Sequence, residues 1–390
     1  MNSHIMPTYA RLSVTFARGE GAWLWDENEK RYLDALSGIA VCNLGHAHPA
    51  VHDAICKQSA RLLHTSNLYQ IAAQEKLADK LTKMSGMTNV FFSNSGAEAN
   101  EAAIKLARRF GHSKGIEVPT IIVMEKSFHG RTLATLSATG NAKIQQGFAP
   151  LVDGFVRVAY NDIGAIEDVL RENTSIAAIL IEPVQGEGGI NIPDSDYLTQ
   201  IRDVCDKYDI LMMLDEIQTG IGRTGKFLAF QHSDILPDVC TLAKALGNGV
   251  PIGACLAYGR AADIFIAGTH GSTFGGNPLA CSAALAVLDT LSEGDLIAQA
   301  TQKGDAITQA FNDKLKNNPH IVNIRHLGLM IGIELDQPCG ELVTRALDAG
   351  LLINVTQDKV IRLLPPLIID VPQINQLVDT LSALIQELTA

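Results

Sequence analysis

The sequence predicts an α/β fold in which a mostly parallel sheet is covered by helices on both faces, with a second, smaller α+β region toward the carboxyl end. Three observations carry this. From about residue 88, short apolar runs alternate with longer stretches of helical spacing, the pattern of repeated strand–helix units. The runs are apolar at nearly every position, as strands buried on both faces require. After Asn277-Pro278 the order changes to two long helices followed by strands, a helix, more strands and a last helix.

Taken in order, Ala22 to Asp34 reads as a hairpin, with two short strands around the polar turn Glu27-Asn28-Glu29-Lys30. Strands follow at Val90 to Ser93, Thr120 to Met124, Phe155 to Ala159, Ala177 to Ile181, Ile210 to Leu214 and Val239 to Leu242, with helices over 97–110, 162–171 and 195–208. The second region has helices over 279–293 and 295–316, strands near 321–326 and 329–335, a helix near 340–349, strands near 351–354 and 360–363, and a helix from about 371 to 388. There is no internal repeat and no low-complexity linker.

Composition narrows the function. Of 390 residues, 47% are hydrophobic and 19% charged, enough apolar side chain for a large core and too little charge for a disordered chain. The 31 basic and 42 acidic residues leave a net charge of −11, which argues against a surface that tracks nucleic-acid phosphates. No apolar run approaches the ~18 to 20 residues of a membrane span. The first thirty residues carry Arg11, Glu20, Asp26 and Glu29 with no signal-like apolar stretch. Seven cysteines without a CxxC pair fit a reduced compartment. A cytoplasmic protein with neither nucleic acid nor membrane as partner is expected. His46-Ala47-His48-Pro49 lacks a third ligand nearby and reads as a turn, so no metal is expected.

Several segments carry chemistry. Asn94-Ser95-Gly96-Ala97-Glu98 follows a strand and opens a helix; Ser95 and Glu98 have capping-box spacing, and Gly96 permits close approach of a ligand to the backbone. Free N–H groups and the positive dipole end make such a start an anion site, although an ordinary capped helix looks the same. Phe128-His129-Gly130-Arg131, again after a strand, offers a flat face and a guanidinium fork matched to a carboxylate, or simply a surface turn with a solvated arginine. Asp215 ends an apolar strand, where it can serve as a metal ligand, a helix cap or the partner of a bound cation. Lys244 stands alone in the uncharged stretch Thr241 to Gly247. A desolvated lysine has a lowered pKa that favours imine chemistry, while a helix lysine that snorkels does not. A strand-end Asp and such a lysine are what a pyridoxal phosphate site requires: an amine for the aldehyde and a carboxylate for the pyridine nitrogen. Gly220 to Lys226 has the spacing of a nucleotide-binding P-loop, the remote alternative. Phe227 stands where the motif needs a hydroxyl, and Asp215 to Thr219 separate it from the strand.

In their order along the chain these segments, with Glu182-Pro183-Val184-Gln185-Gly186-Glu187, Asp215-Glu216-Ile217-Gln218 and Ser272-Thr273-Phe274-Gly275-Gly276-Asn277, resemble the class III pyridoxal-phosphate aminotransferases of fold type I. The resemblance spans about Leu24 to Pro366. It implies a large cofactor-binding domain over 61–279 with a mostly parallel seven-stranded sheet, and a smaller α+β domain from residues 1–60 and 280–390. It implies that Lys244 binds the cofactor aldehyde and shuttles the substrate proton, that Asp215 pairs with the pyridinium, and that Gln218 approaches the ring hydroxyl. By the same resemblance Ser95, Gly96 and Ala97 hold the phosphate, Phe128 and Ile217 flank the ring, and Thr273 reaches the phosphate of a neighbouring subunit with Ser272 beside the substrate, so that a homodimer shares its sites. Arg131 and Arg362 match the family's two carboxylate-binding arginines, and Glu187 the switch that neutralises Arg362 while the amino donor is bound. Where ornithine-specific members carry a tyrosine for the free α-amino group, six residues before Gly45, this chain has Ile39, which suits an acylated nitrogen. The expectation is ping-pong transfer of the δ-amino group of N-acetylornithine to 2-oxoglutarate, with succinylornithine, succinyl-diaminopimelate and GABA as alternative donors.

Overall fold

In the computed structural model, which describes residues 4–390, the chain begins as an antiparallel meander of β1 (Phe16–Glu20), β2 (Trp23–Asp26) and β3 (Arg31–Asp34). The central layer comprises β4 (Asn89–Ser93), β5 (Thr120–Met124), β6 (Phe155–Val158), β7 (Ile176–Ile181), β8 (Leu211–Asp215), β9 (Val239–Leu242) and β10 (Gly253–Ala257), in the spatial order β4-β10-β9-β8-β7-β5-β6. Strands β5 to β9 pair in parallel, and β10 runs antiparallel to both its neighbours. Strands β5, β7, β8 and β9 are buried along their whole length, because successive side chains enter two different cores. Ile122, Ile179, Met212 and Leu214 join the core on one face; Ile121, Val123, Ala178, Leu180 and Met213 join the other, with the apolar stripe Ala103, Leu106, Ala107 and Phe110 of the helix Gly96–Ser113. Each large side chain so buried contributes about 1.5–3 kcal/mol.

The carboxyl-terminal strands are β11 (Ile321–Leu327), β12 (Met330–Leu335), β13 (Leu351–Leu352), β14 (Asn354–Thr356) and β15 (Val360–Leu363). Four of them form an antiparallel sheet in the order β11-β12-β15-β14, while β13 pairs in parallel with β3. The two chain ends therefore share one sheet. The helices Pro278–Glu293, Leu296–Leu315, Leu342–Asp348 and Val371–Leu388 lie within a few residues of their predicted extents. The last opens with a capping box between Asp370 and Gln373. Two helices that the sequence pattern does not predict, Pro49–Ser59 and Ala72–Ser85, pack on the helix Pro278–Glu293. Among the described residues no helix is long and apolar enough to cross a membrane.

Two local features tie the ends to the centre. Ser37, Gly38, Ile39 and Ala40 all have positive φ, at 51°, 64°, 66° and 59°, forming one turn of left-handed helix closed by Val41 N donating to Ser37 O at 2.8 Å. Only Gly38 adopts this freely; each of the other three opposes its Cβ at a cost of about 1–2 kcal/mol. The P-loop-like segment, Gly220 to Lys226, is a run of turns and bends followed by one short 3-10 turn, Ala229–His232, and not by an α-helix. Its Arg223 is fully buried, with Nη1 donating to Leu329 O at 2.9 Å and Pro365 O at 2.5 Å and Nη2 donating to Asn43. Burial lowers its pKa to about 9 against the opposing pull of Asp34. Replacing it with leucine strands three acceptors, so Arg223→Leu should lower unfolding free energy by about 2–4 kcal/mol in a urea titration.

Candidate active site

The carboxyl ends of β4, β5, β7, β8 and β9 open onto one cavity of about 450 Å³, and most of the residues singled out in the sequence meet there. At the end of β4, Ser95 caps the helix Gly96–Ser113 by accepting from Glu98 N at 3.2 Å. Only half of the expected capping box forms: the Glu98 carboxylate turns to Asn94, accepting from its N and Nδ2 at 2.7 and 2.8 Å. Gly96 and Ala97 line the cavity at this first turn, where N–H groups have no intrahelical acceptor. Gly96 is required for a reason beyond ligand access, since a Cβ there would lie 2.8 Å from the Ile217 side chain.

Asp215 ends β8 with a 4% exposed side chain. Its Oδ2 accepts from Asn100 Nδ2 and His129 Nδ1, both at 2.8 Å, and its Oδ1 accepts from Ile217 N at 3.1 Å. Asn100 is in turn fixed by Thr241 Oγ1, which donates to Asn100 Oδ1 at 2.7 Å. Donation from His129 Nδ1 places its proton on that nitrogen and leaves Nε2 buried without a partner among the described residues. Glu182, at the end of β7, accepts from Phe128 N at 3.0 Å and Gly186 N at 3.3 Å. Burial raises its pKa to about 7; the His129 charge opposes this and Asp215 adds to it. The sequence alone assigns no role to Asn100, Thr241 or Glu182. Nothing in the chain distinguishes Asn100 from any other polar helix residue until the helix is laid beside β8.

Lys244 follows β9 with φ 46°, a strained value of the kind found where function over-determines the backbone. Burial lowers its pKa, the Arg362 charge lowers it further, and Glu187, Asp215 and Glu182 pull it back, leaving it at about 8. Phe128 and Ile217 line the same cavity, as do Gln218 and Arg131, whose guanidinium stands 5.8 Å from the Phe128 ring centroid. Arg362 is fully buried, 2.6 Å from Glu187 Oε1, 3.4 Å from Gln218 Oε1 and, through Nε, 3.0 Å from Asn354 Oδ1. Its Nη2 is buried without a partner among the described residues, an open donor for a carboxylate. Ser272 stands at the rim, accepting from Asn94 Nδ2 at 3.2 Å. Thr273 is exposed and outside the cavity.

A buried low-pKa lysine, a carboxylate clamped on an adjacent strand, an aromatic face and an open helix start define a cofactor enzyme of the pyridoxal phosphate type. The match to known proteins narrows the class. The family model for the class-III aminotransferases matches residues 5–385, and the chain belongs to that family. It is 57% identical over 383 residues to the acetylornithine aminotransferase of Nitrosomonas europaea, covering 98% of each chain, and 53% identical over 390 residues to acetylornithine aminotransferase 1 of Bordetella bronchiseptica, covering 100% of this chain and 99% of that one. Among solved structures, the ornithine aminotransferase of Toxoplasma gondii superposes with a TM-score of 0.95 at 33% identity, covering 99% of this chain and 93% of that chain; the acetylornithine aminotransferase of Elizabethkingia anophelis gives 0.88 at 36%, covering 98% and 96%. The family uses pyridoxal phosphate, and the donor set fits that group. Only the neutral amine of Lys244 condenses with an aldehyde. With the pKa at about 8, about a tenth of it is neutral at pH 7, against well under a thousandth for an ordinary lysine. Uptake of pyridoxal phosphate by the apoprotein, followed by visible absorbance, should therefore rise with pH through a midpoint at about 8 and level off about one pH unit higher.

Proposed function

We propose that this chain transfers the δ-amino group of N-acetylornithine to 2-oxoglutarate, yielding N-acetylglutamate 5-semialdehyde and glutamate, a step of arginine biosynthesis in the cytoplasm. The observation that carries it is the cavity itself: Arg131 and a low-pKa lysine around an apolar wall, with Arg362 behind the cavity residue Gln218, in a chain that aligns end to end with relatives named acetylornithine aminotransferase. Pyridoxal phosphate, when bound, supplies an aldehyde to carry the amino group and a ring to hold electrons. Lys244 would supply the amine that holds it and would move the proton at the reacting carbon of the substrate. Asp215, held by three donors, would pair with the ring nitrogen, and Gln218 would approach the ring hydroxyl. The first-turn amides of Gly96 and Ala97, with Ser95, would hold the phosphate, and Phe128 and Ile217 would flank the ring.

On the substrate side, Arg131 takes the donor's α-carboxylate and, in the second half-reaction, the γ-carboxylate of the oxo acid, whose α-carboxylate goes to Arg362. Glu187 covers Arg362 while the donor is bound and swings away for 2-oxoglutarate. Ile39 leaves no polar partner for a free α-ammonium, which favours the acylated donor. The exposure of Thr273 and the neighbouring Phe274, 60% exposed, supports a homodimer in which Thr273 and Ser272 complete the partner's site.

A ranking of kcat/KM decides the substrate: N-acetylornithine should exceed ornithine and GABA by at least about 100-fold, and comparable values would refute the assignment. Lys244→Ala should abolish the visible absorbance that borohydride shifts, and full turnover by that variant would refute the lysine's role. Glu187→Gln leaves Arg362 without its anion, so the donor half-reaction should slow while KM for 2-oxoglutarate falls about 3- to 10-fold.

A further inference from the structure

The left-handed turn Ser37–Ala40 is strained, and it leads directly into the cavity wall. Val41, immediately after it, lines the cavity wall, and Ile39 packs with Leu36 on the apolar cluster that contains Val184, another cavity residue. Besides its own backbone bonds, the turn is held by the Asp34 side chain. Asp34 is 2% exposed; its Oδ1 accepts from Leu36 N at 2.9 Å and Ser37 N at 2.8 Å, and its Oδ2 lies 2.8 Å from His46 Nε2. The Ser37 hydroxyl is buried and bonds to nothing among the described residues, so it gives the turn no help. Beyond the turn, His46 is bound to Gly21 by backbone bonds in both directions. Asn248, four residues past Lys244, accepts from Leu44 N at 2.9 Å and donates to Gly45 O at 3.0 Å. The Asp34–His46 contact thus closes a loop of chain, with the strained turn inside it and the lysine loop tied to its exit.

We propose that Asp34 and His46 are positioning residues for the amino donor: their contact holds the left-handed turn in place and so sets the wall that Val41 presents, with Ile39 packed behind it, to the acylated end of the substrate. Burial pulls the His46 pKa down, but hydrogen bonds to Asp34 and Cys42 and their charges outweigh it and bring it to about 9, so His46 is mostly protonated at neutral pH. A non-glycine left-handed turn persists only where its surroundings over-determine it, and without the clamp the backbone relaxes toward ordinary φ, turning both side chains away. The long acylated donor reaches this wall; the short oxo acid, bound between two arginines, does not depend on it. The inference rests on the donor assignment proposed above.

The test uses the cofactor-loaded enzyme and follows the two half-reactions separately. Wild type ranked against a panel of ω-amino donors tests the donor assignment by itself, and the clamp is then read as the ratio of variant to wild type with whichever donor wild type prefers. His46→Ala and Asp34→Ala are expected to lower donor kcat/KM about 10-fold or more, mainly through KM, with the 2-oxoglutarate half-reaction within about 3-fold and the cofactor absorbance band unmoved. His46→Gln, whose amide can still donate to Asp34, is expected to recover most of the loss. Equal losses in both half-reactions, or unchanged donor kcat/KM in His46→Ala, would overturn the proposal. If Asp34→Ala does not fold, the two His46 variants decide.

Discussion

The register between β8 and β9 is the constraint on which the site depends. Asp215 lies opposite Thr241 in that parallel pair, and this one alignment does two things. It sets the buried carboxylate beside the hydroxyl that fixes Asn100, and it places Lys244 three residues past Thr241, just beyond the end of the neighbouring strand and over the same cavity. Because strand side chains alternate, a slip of one residue would turn the set to the opposite face. The two apolar faces of β8, with Met212 and Leu214 in one core and Met213 in the other, exclude that slip. The packing of ordinary hydrophobic residues thus holds the charged ones in place.

Much of this fold is legible in the amino-acid sequence alone. Strands β5, β7, β8 and β9 announce themselves because a strand buried on both faces must be apolar throughout. The same logic fails for β10, Gly253-Ala254-Cys255-Leu256-Ala257: its small residues let the helix Gly96–Ser113 lie against it, and they suppress the β-branched signature by which strands are read. The helix Pro49–Ser59 is silent in the sequence because only Val51 in it is buried, leaving no apolar stripe.

The site shows the same division. Lys244, Asp215 and the residues that open onto the cavity are visible as motifs, since each ends a readable strand. Asn100, 115 positions from Asp215, has no local signal; its importance exists only in three dimensions. Glu182 is visible within its motif, but its burial, which decides its protonation, is not. Arg223 shows the opposite failure: in sequence it belongs to a phosphate-binding pattern, while in the fold it bonds three acceptors drawn from remote parts of the chain.

The pairing of Leu33 with Leu351 in the sheet shared by β3 and β13 also bears on how the molecule is made. During synthesis at ~5–20 residues per second, the amino-terminal meander emerges roughly 15–60 s before the strand that completes its edge. An uncovered strand edge is a template for wrong partners over that whole interval. Arg31 on it, and Glu29 and Lys30 in the turn before it, therefore serve the nascent chain as much as the finished one. The left-handed turn that follows β3 can reach its final setting only after ribosomal release of nearly the entire polypeptide.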